Sequence, residues 1–334
     1  MTTIYKTDSM SVIQEKLDKG GEIIFSPGTY KITKQLVIPK NTIINLNTAR
    51  LQRKASIQSI FINKVTQETT GYNGDGNIDI VNGILEGIGG YTFDNLVTFF
   101  HSHDIHISNC EFRDILCHGV ELNSTKNVSI HNCTFRGYNL KDPDNAYKEM
   151  IQIDQAGFSA FVLRRSSTGS PCYDGTCCEN IEINSCLFDK SNTRDYPYAC
   201  IGAHAQIYNV KKKHKHIQIF NNTFHCKFNT DIIQPCISII NMEDITVDHN
   251  VFDCMKVARI YSKSYSYTLD GVKREPHEGD GLCKDISFAN NFIQRLKTNK
   301  EAFQQYNKSS TKSGHTNIVK KKNTFDSKCS FISS

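Results

Sequence analysis

The feature that most constrains this 334-residue chain is a ten-residue phrase repeated along it at uneven intervals. It reads HDIHISNCEF (103–112), KNVSIHNCTF (126–135), ENIEINSCLF (179–188), KHIQIFNNTF (215–224), EDITVDHNVF (243–252), KDISFANNFI (284–293) and TNIVKKKNTF (316–325), with a looser copy, GNIDIVNGIL, at 76–85. The pairs Ile105/Ile107, Val128/Ile130, Ile181/Ile183 and Ile217/Ile219 alternate with polar residues. A two-residue period belongs to a strand with one buried face. The polar pair that follows makes a corner, where Asn accepts left-handed backbone angles, and the next Phe turns back inside.

A second strand follows each corner: HGVELNS (118–124), EMIQIDQ (149–155), CIGAHAQ (200–206), PCISIIN (235–241) and ARIYSKS (258–264). Successive corners at Cys110, Cys133, Cys186, Asn222 and Asn250 are 23, 53, 36 and 28 residues apart. Two strands per turn at irregular spacing predict an all-β parallel β-helix, in which insertions become loops on one side. A helical or leucine-rich repeat would hold a fixed period. Strands are expected at about 104–108, 118–123, 127–131, 150–155, 180–184, 200–205, 216–220 and 236–240.

The start of the chain reads as a lid. Residues 9–21 form a short amphipathic capping helix, with Ser11 and Gln14 as a capping box, Ile13 and Leu17 on one face, and Gly20-Gly21 as the stop. A solenoid needs such a cover over its first apolar coil. No Pro-, Gly- or Ser-rich linker divides the chain, so one domain is expected over 1–334, with the cap at 1–21 and coils over about 22–330.

With 38% hydrophobic and 22% charged residues, the chain has material for a large core. Residues 1–11 are polar, and no apolar run approaches the ~18 residues of a membrane span. The expectation is a protein made in the cytoplasm without its own secretion address, which reaches the outside by lysis or in a virus particle. The net charge of +5 fits an anionic partner. The basic run 211–216 falls between two strand signals and reads as a solvated turn, so no nucleic-acid partner is expected. The 13 cysteines are an odd number. Cys110, Cys133 and Cys186 share the corner position and read as buried, stacked thiols. Cys172, Cys177 and Cys178 share a loop without a fourth ligand at zinc-finger spacing, so no metal is expected there.

The opening IQEKLDKGGEIIFSPGTYKITKQLVI resembles the N-terminal segment of the pectate-lyase-like superfamily of phage tailspikes and depolymerases. The blocks ELNSTKNVSIHNCTF, EMIQID and IGAHA resemble polygalacturonase-like (family 28 type) proteins of Gram-positive bacteria and their phages. The resemblance spans nearly the whole chain and implies a right-handed β-helix that acts on polysaccharide. It also implies a homotrimer for any member serving as a phage tail part. The Asn-Thr-Asp, Asp-Asp, Gly-His-Gly and Arg-Ile-Lys blocks of polygalacturonases are absent. Gly202-Ala203-His204 only partly resembles the third, and Asp154 has no neighbouring Asp. Pectin is therefore not the expected substrate.

Aligning the second strands turns Val120/Leu122, Ile151/Ile153 and Ile201/Ala203 inward. Glu121, Asn123, Gln152, Asp154 and His204 then share the outward face. If the coils are adjacent, the Cα atoms of Glu121 and Asp154 are about 8 Å apart, from strand spacing and rise. That is compatible with either spacing class of glycosidase carboxylates. In the catalytic reading, Glu121 and Asp154 are the acid and the base or nucleophile, and His204 supports them. Asn123 and Gln152 bind sugar hydroxyls. Glu149 is a further substrate-binding candidate at the entry to its strand, where its phase turns it inward unless it lies in the turn; His118 is similar, and a packing role suits each equally. Arg164, Arg165 and Arg194 sit in adjoining loops and suit carboxylate or phosphate. Arg259 and Tyr261 extend the same face. Loops 139–148, 156–178 and 190–198 adjoin it. Taken singly, each residue is equally at home on a solvated surface.

The expectation is a glycan depolymerase, most simply a glycoside hydrolase without a cofactor. Rivals are a polysaccharide lyase, with a divalent cation as an option, a teichoic-acid phosphodiesterase, and a non-enzymatic glycan-binding adhesin or tail component.

Overall fold

The computed structural model describes residues 1–66, 68–87, 95–138, 149–156, 174–203, 212–226, 235–262, 267–269, 272–274, 282–294, 296, 302–307 and 315–326. Each coil adds one strand to each of three parallel sheets, A, B and C, with eleven, ten and nine strands. In every sheet the hydrogen-bonded neighbours belong to successive coils. The expected two strands per coil become three. The Phe-bearing segments, read as the far side of a corner, pair as a sheet of their own, with Glu111–Ile115 in register on Thr134–Tyr138.

Sheet A carries the Ile-x-Ile phrase. Ile105 stands over Val128, Val128 over Ile181, and Ile181 over Ile217. Like residues therefore stack on like, and each is buried in one continuous apolar cluster. Sheet B stacks the phenylalanines. The rings of Phe112, Phe135, Phe188, Phe224 and Phe252 follow one another with centroids 4.7, 5.0, 4.7 and 4.8 Å apart, at interplanar angles of 17° or less. Such offset contacts add to the burial of large rings.

From Ile78 onward, the corner between sheets A and B is two residues long. Its first residue takes the left-handed conformation: Asn82, Asn109, Asn132, Asn221 and Asn290 have φ from 51° to 63°. This is the region that Asn tolerates best among non-glycine residues. Its second residue points inward. Cys110, Cys133 and Cys186 occupy it in three coils as buried free thiols, as expected. Asn222, Asn250, Asn291 and Asn323 occupy it in the next four. The Asn222 amide accepts from Cys186 N–H (2.9 Å) and donates to Ile183 O (2.9 Å), so each side chain knits two coils.

The other two corners vary in length. Chain is inserted between Tyr138 and Glu149 before a sheet C strand, and between Asp154 and Glu179 after it. The same holds between Gly202 and His214, and between Ser262 and Lys284. Sheet C is thus the side on which insertions collect.

The cap is a helix from Met10 to Leu17, shorter than expected. Ser9, not Ser11, is its N-cap and accepts from Val12 N–H. Gln14 instead pins the helix to the solenoid, donating to Val37 O (2.8 Å) and accepting from Val37 N–H (2.9 Å). Ile13 and Leu17 are buried as expected. The basic run is not wholly a turn, because His214, Lys215 and His216 begin the sheet A strand His214–Phe220.

Candidate functional site

The outward positions of sheet C form two columns. The first runs Thr98, Glu121, Gln152, Gly202, Ser238, Arg259. The second runs Phe100, Asn123, Asp154. The register places Glu121 beside Gln152 and Asn123 beside Asp154. The coils of Glu121 and Asp154 are therefore adjacent, with the diagonal offset assumed from sequence. Their Cα separation is about 8 Å from ideal strand spacing and rise.

This face is not a solvated surface. Glu121, Asn123, Gln152 and Asp154 are 4%, 0%, 3% and 8% exposed. Their inward neighbours Val120, Leu122, Ile151 and Ile153 belong to the core. Polar groups buried outside an apolar core require partners. Glu121 has them. Its Oε2 accepts from the Asn95 amide and from Thr98 Oγ1 (3.2 Å). Asn95 is oriented in turn by His118 N–H, which donates to its Oδ1 (3.2 Å), and Thr98 meets Ser59 at 2.6 Å. Asp154 Oδ2 accepts from Gln152 Nε2 at 2.5 Å. Asn123 differs. Among the described residues, neither its amide nitrogen nor its oxygen has a hydrogen-bond partner, although both atoms are buried.

Glu149 takes one of the two orientations that the sequence left open. Its side chain does not turn into the core. The first residue of its strand, it reaches the outward face, where its Cγ and Oε1 lie against Gly202 one coil on. A third carboxyl thus joins the first column beyond Gln152. His118 is 4% exposed, and its Nδ1 donates to Glu149 O at 2.5 Å, which fixes that ring beside the same strand. Arg259 and Tyr261 lie further along the face, with the guanidinium over the phenol ring at 5.9 Å from its centroid. His204, Arg164 and Arg165 lie outside the described residues. Arg194 is not on sheet C; its N–H donates to Ser191 Oγ beside the sheet B cluster.

The sequence reading missed Asn95, Thr98 and Ser59. They belong to earlier coils whose phrases are poorly formed, so no repeat marked them. It also missed a charged cluster on sheet B. There Arg50, Glu86, Glu111, Arg113, Asp114 and Arg136 line a cavity of about 220 Å³. Its acids are matched internally: Glu86 takes Arg50 Nε and Gln52 Nε2 at 2.7 Å each, and Asp114 takes Ser191 and Thr193 at 2.5 and 2.7 Å. The loop cysteines hold no joint site among the described residues. Cys178 donates to Asp154 O (3.3 Å), and burial pushes its thiol up to about 12. Cys172 lies outside the described residues.

No family model and no curated protein matches the sequence. Solved structures do match the fold. The Streptococcus pneumoniae surface protein and adhesin PfbA superposes with a TM-score of 0.69 at 17% identity, over 97% of both chains. An alginate lyase from Paenibacillus sp. str. FPU-7 gives 0.60 at 12% identity, over 97% of this chain and 99% of that one. The fold is a right-handed parallel β-helix. The Yersinia enterocolitica family 28 exopolygalacturonase shares this β-helix at a TM-score of 0.61 and 14% identity, over 97% of this chain and 66% of its own. No described helix of the β-helix is long and apolar enough to cross a membrane.

Proposed function

We propose that the sheet C face binds a glycan and hydrolyses it, with Glu121 and Asp154 as the paired carboxylates. The observation that carries this is Asn123. A primary amide buried with both atoms unmet costs about 1–3 kcal/mol per group unless a polar ligand or water satisfies it. It lies between Phe100 and Asp154 and next to Glu121, where a sugar hydroxyl can both donate and accept. One carboxyl protonates the leaving oxygen while the other activates water or attacks the sugar. Gln152, in the first column, holds Asp154 in the second. Glu149 supplies a third carboxyl at the far side of Gln152, and His118 sits beside it. Arg259 and Tyr261 extend the groove, Tyr261 as a stacking surface. His204, Arg164 and Arg165 remain proposed contributors through their sequence positions, Arg164 and Arg165 as holders of an anionic polymer.

A second reading is binding without turnover. One structure that matches this one over nearly the full length of both chains is named an adhesin, while another is named an alginate lyase. A panel of bacterial surface glycans separates the readings. New reducing ends mark the hydrolase, and new ultraviolet absorbance from unsaturated uronates marks a lyase. Saturable binding with no product after prolonged incubation would replace the enzyme with an adhesin.

A further inference from the structure

The structure assigns a second site, unrelated to the sheet C face, to four buried cysteines. Cys200 and Cys236 occupy equivalent positions on successive sheet C strands, and Cys200 N–H donates to Cys236 O. Cys226 and Cys254 follow the sheet B strands Thr223–His225 and Val251–Asp253, one position past the paired residues His225 and Asp253. All four side chains are between 0% and 4% exposed. The sulfurs of Cys200, Cys226 and Cys236 lie within 4.8 Å of one another, with Cys200 and Cys226 at 3.5 Å. The Cys254 thiol is in hydrogen-bond contact with that of Cys236.

We propose that Cys200, Cys226, Cys236 and Cys254 form a closed, all-sulfur site for one soft metal ion, zinc, which clamps the end of sheet B to the start of sheet C across two coils.

Two observations separate this quartet from ordinary core thiols. The first is the geometry of contact. Cys110, Cys133 and Cys186 each donate to a main-chain carbonyl two residues back, at 3.3, 3.3 and 3.2 Å, and the thiols of Cys133 and Cys186 meet only as a single column stacked at one position of the coil. The quartet brings sulfurs together from two different places in the coil. The second is placement. On other coils the position of Cys200 holds Gly119, Met150 or Val257, and the position of Cys226 holds Gly87, Asp114 or Lys190. Cysteine fills both positions in the two consecutive coils where they face each other. A tetrahedral zinc ion with Zn–S of about 2.3 Å sets its sulfurs about 3.8 Å apart. The separations among Cys200, Cys226 and Cys236, 3.5 Å and up to 4.8 Å, bracket that edge, and Cys254 joins the three through its contact with Cys236. A four-thiolate set with no open position selects soft ions and is structural rather than catalytic.

Zinc binds thiolate, so loading releases protons and the ion leaves as pH falls. The test uses the full chain produced with zinc supplementation and purified under reducing conditions. Elemental analysis should find about one zinc per chain, and replacement by cobalt should give the thiolate-to-cobalt charge-transfer bands of a tetrahedral sulfur site. The pair Cys226→Ala/Cys254→Ala should lose the ion, while Cys110→Ala/Cys186→Ala keeps it. Should the first pair fail to fold, the zinc content and cobalt spectrum of the wild type still decide. Fully reduced protein with no stoichiometric metal and no cobalt–thiolate band overturns the proposal. So does a protein whose mass shows these four cysteines paired as two disulfides, or zinc retained in a folded quartet variant.

Discussion

The carboxyl of Glu149 lies in the space left by the absent side chain of Gly202. A Cβ at position 202 would come within 2.9 Å of Glu149 Cγ and Oε1, and within 2.7 Å of Ser238 Cβ. The backbone of Gly202 is not in the left-handed region, so the need for glycine here is one of room. Gly202→Ala must therefore displace Glu149 or Ser238. Overpacking of this kind costs about 1–3 kcal/mol. In denaturant unfolding, Gly202→Ala should be destabilised by that order, and adding Glu149→Ala should recover part of the loss. Strict additivity of the two changes would show that Glu149 does not occupy the space.

The paired carboxylates give the sharpest test of the proposed reaction. Glu121→Gln and Asp154→Asn keep shape and remove acid–base function. Each should lower turnover at least about 10²-fold on a glycan that the wild type cleaves. Binding should change far less, since Asn123, Gln152 and the rest of the face remain. Asn123→Ala should weaken binding, because it removes the amide that meets the sugar. Full activity in both carboxylate variants would move the chemistry elsewhere, with Glu149 as the first residue to examine.

What the sequence disclosed follows from where its periodicity is strict. Sheet A was legible because Ile-x-Ile alternation is fixed by a buried face, and its strands fall where the phrases predict. Sheet B was not, because its strands hold as few as three residues and show a single inward Phe, as in Leu187–Asp189. The face carrying Glu121 and Asp154 was legible for the same reason as sheet A: alternation in sheet C sets which residues turn outward. Its burial was not, because exposure depends on what packs over a face, which periodicity does not encode. The direction of Glu149 stayed open because it sits at the entry to its strand, and because the room made by Gly202 is set by contact across coils. The cysteine quartet escaped for a related reason. Its members are separated by 26, 10 and 18 residues, and only the coil path brings them together.

The phenylalanine stack should dominate stability along sheet B. Phe188 is sandwiched between Phe135 and Phe224, at centroid distances of 5.0 and 4.7 Å, and is fully buried. Phe188→Ala removes a ring whose space neighbouring coils cannot fill, since their register is locked by the sheets on either side. A loss of about 3–5 kcal/mol is expected in urea unfolding, with Phe188→Leu costing less. A loss below about 1 kcal/mol for the alanine variant would mean that the stack relaxes into the gap.

His214 should make the fold sensitive to mild acid. It is buried at the start of its sheet A strand, and its Nδ1 accepts the Cys178 main-chain N–H at 3.0 Å. That bond requires an unprotonated Nδ1. Burial lowers the group from 6.5 to about 4, with the Asp154 carboxylate pulling weakly the other way. Because the folded value is the depressed one, the unfolded chain takes up this proton first as pH falls. Stability from this group is complete above about 6.5, declines as pH drops toward about 4, and changes no further below that. At 1.36 kcal/mol per unit, the whole decline is roughly 3 kcal/mol. His214→Asn keeps an acceptor oxygen near the position of Nδ1 and cannot titrate. Unfolding midpoints measured at several pH values between 7.5 and 4 should fall more steeply for the wild type than for His214→Asn, by the uptake of about one proton. Parallel pH profiles would show that His214 is already charged in the folded protein, and the Cys178 contact would then have to be a different one.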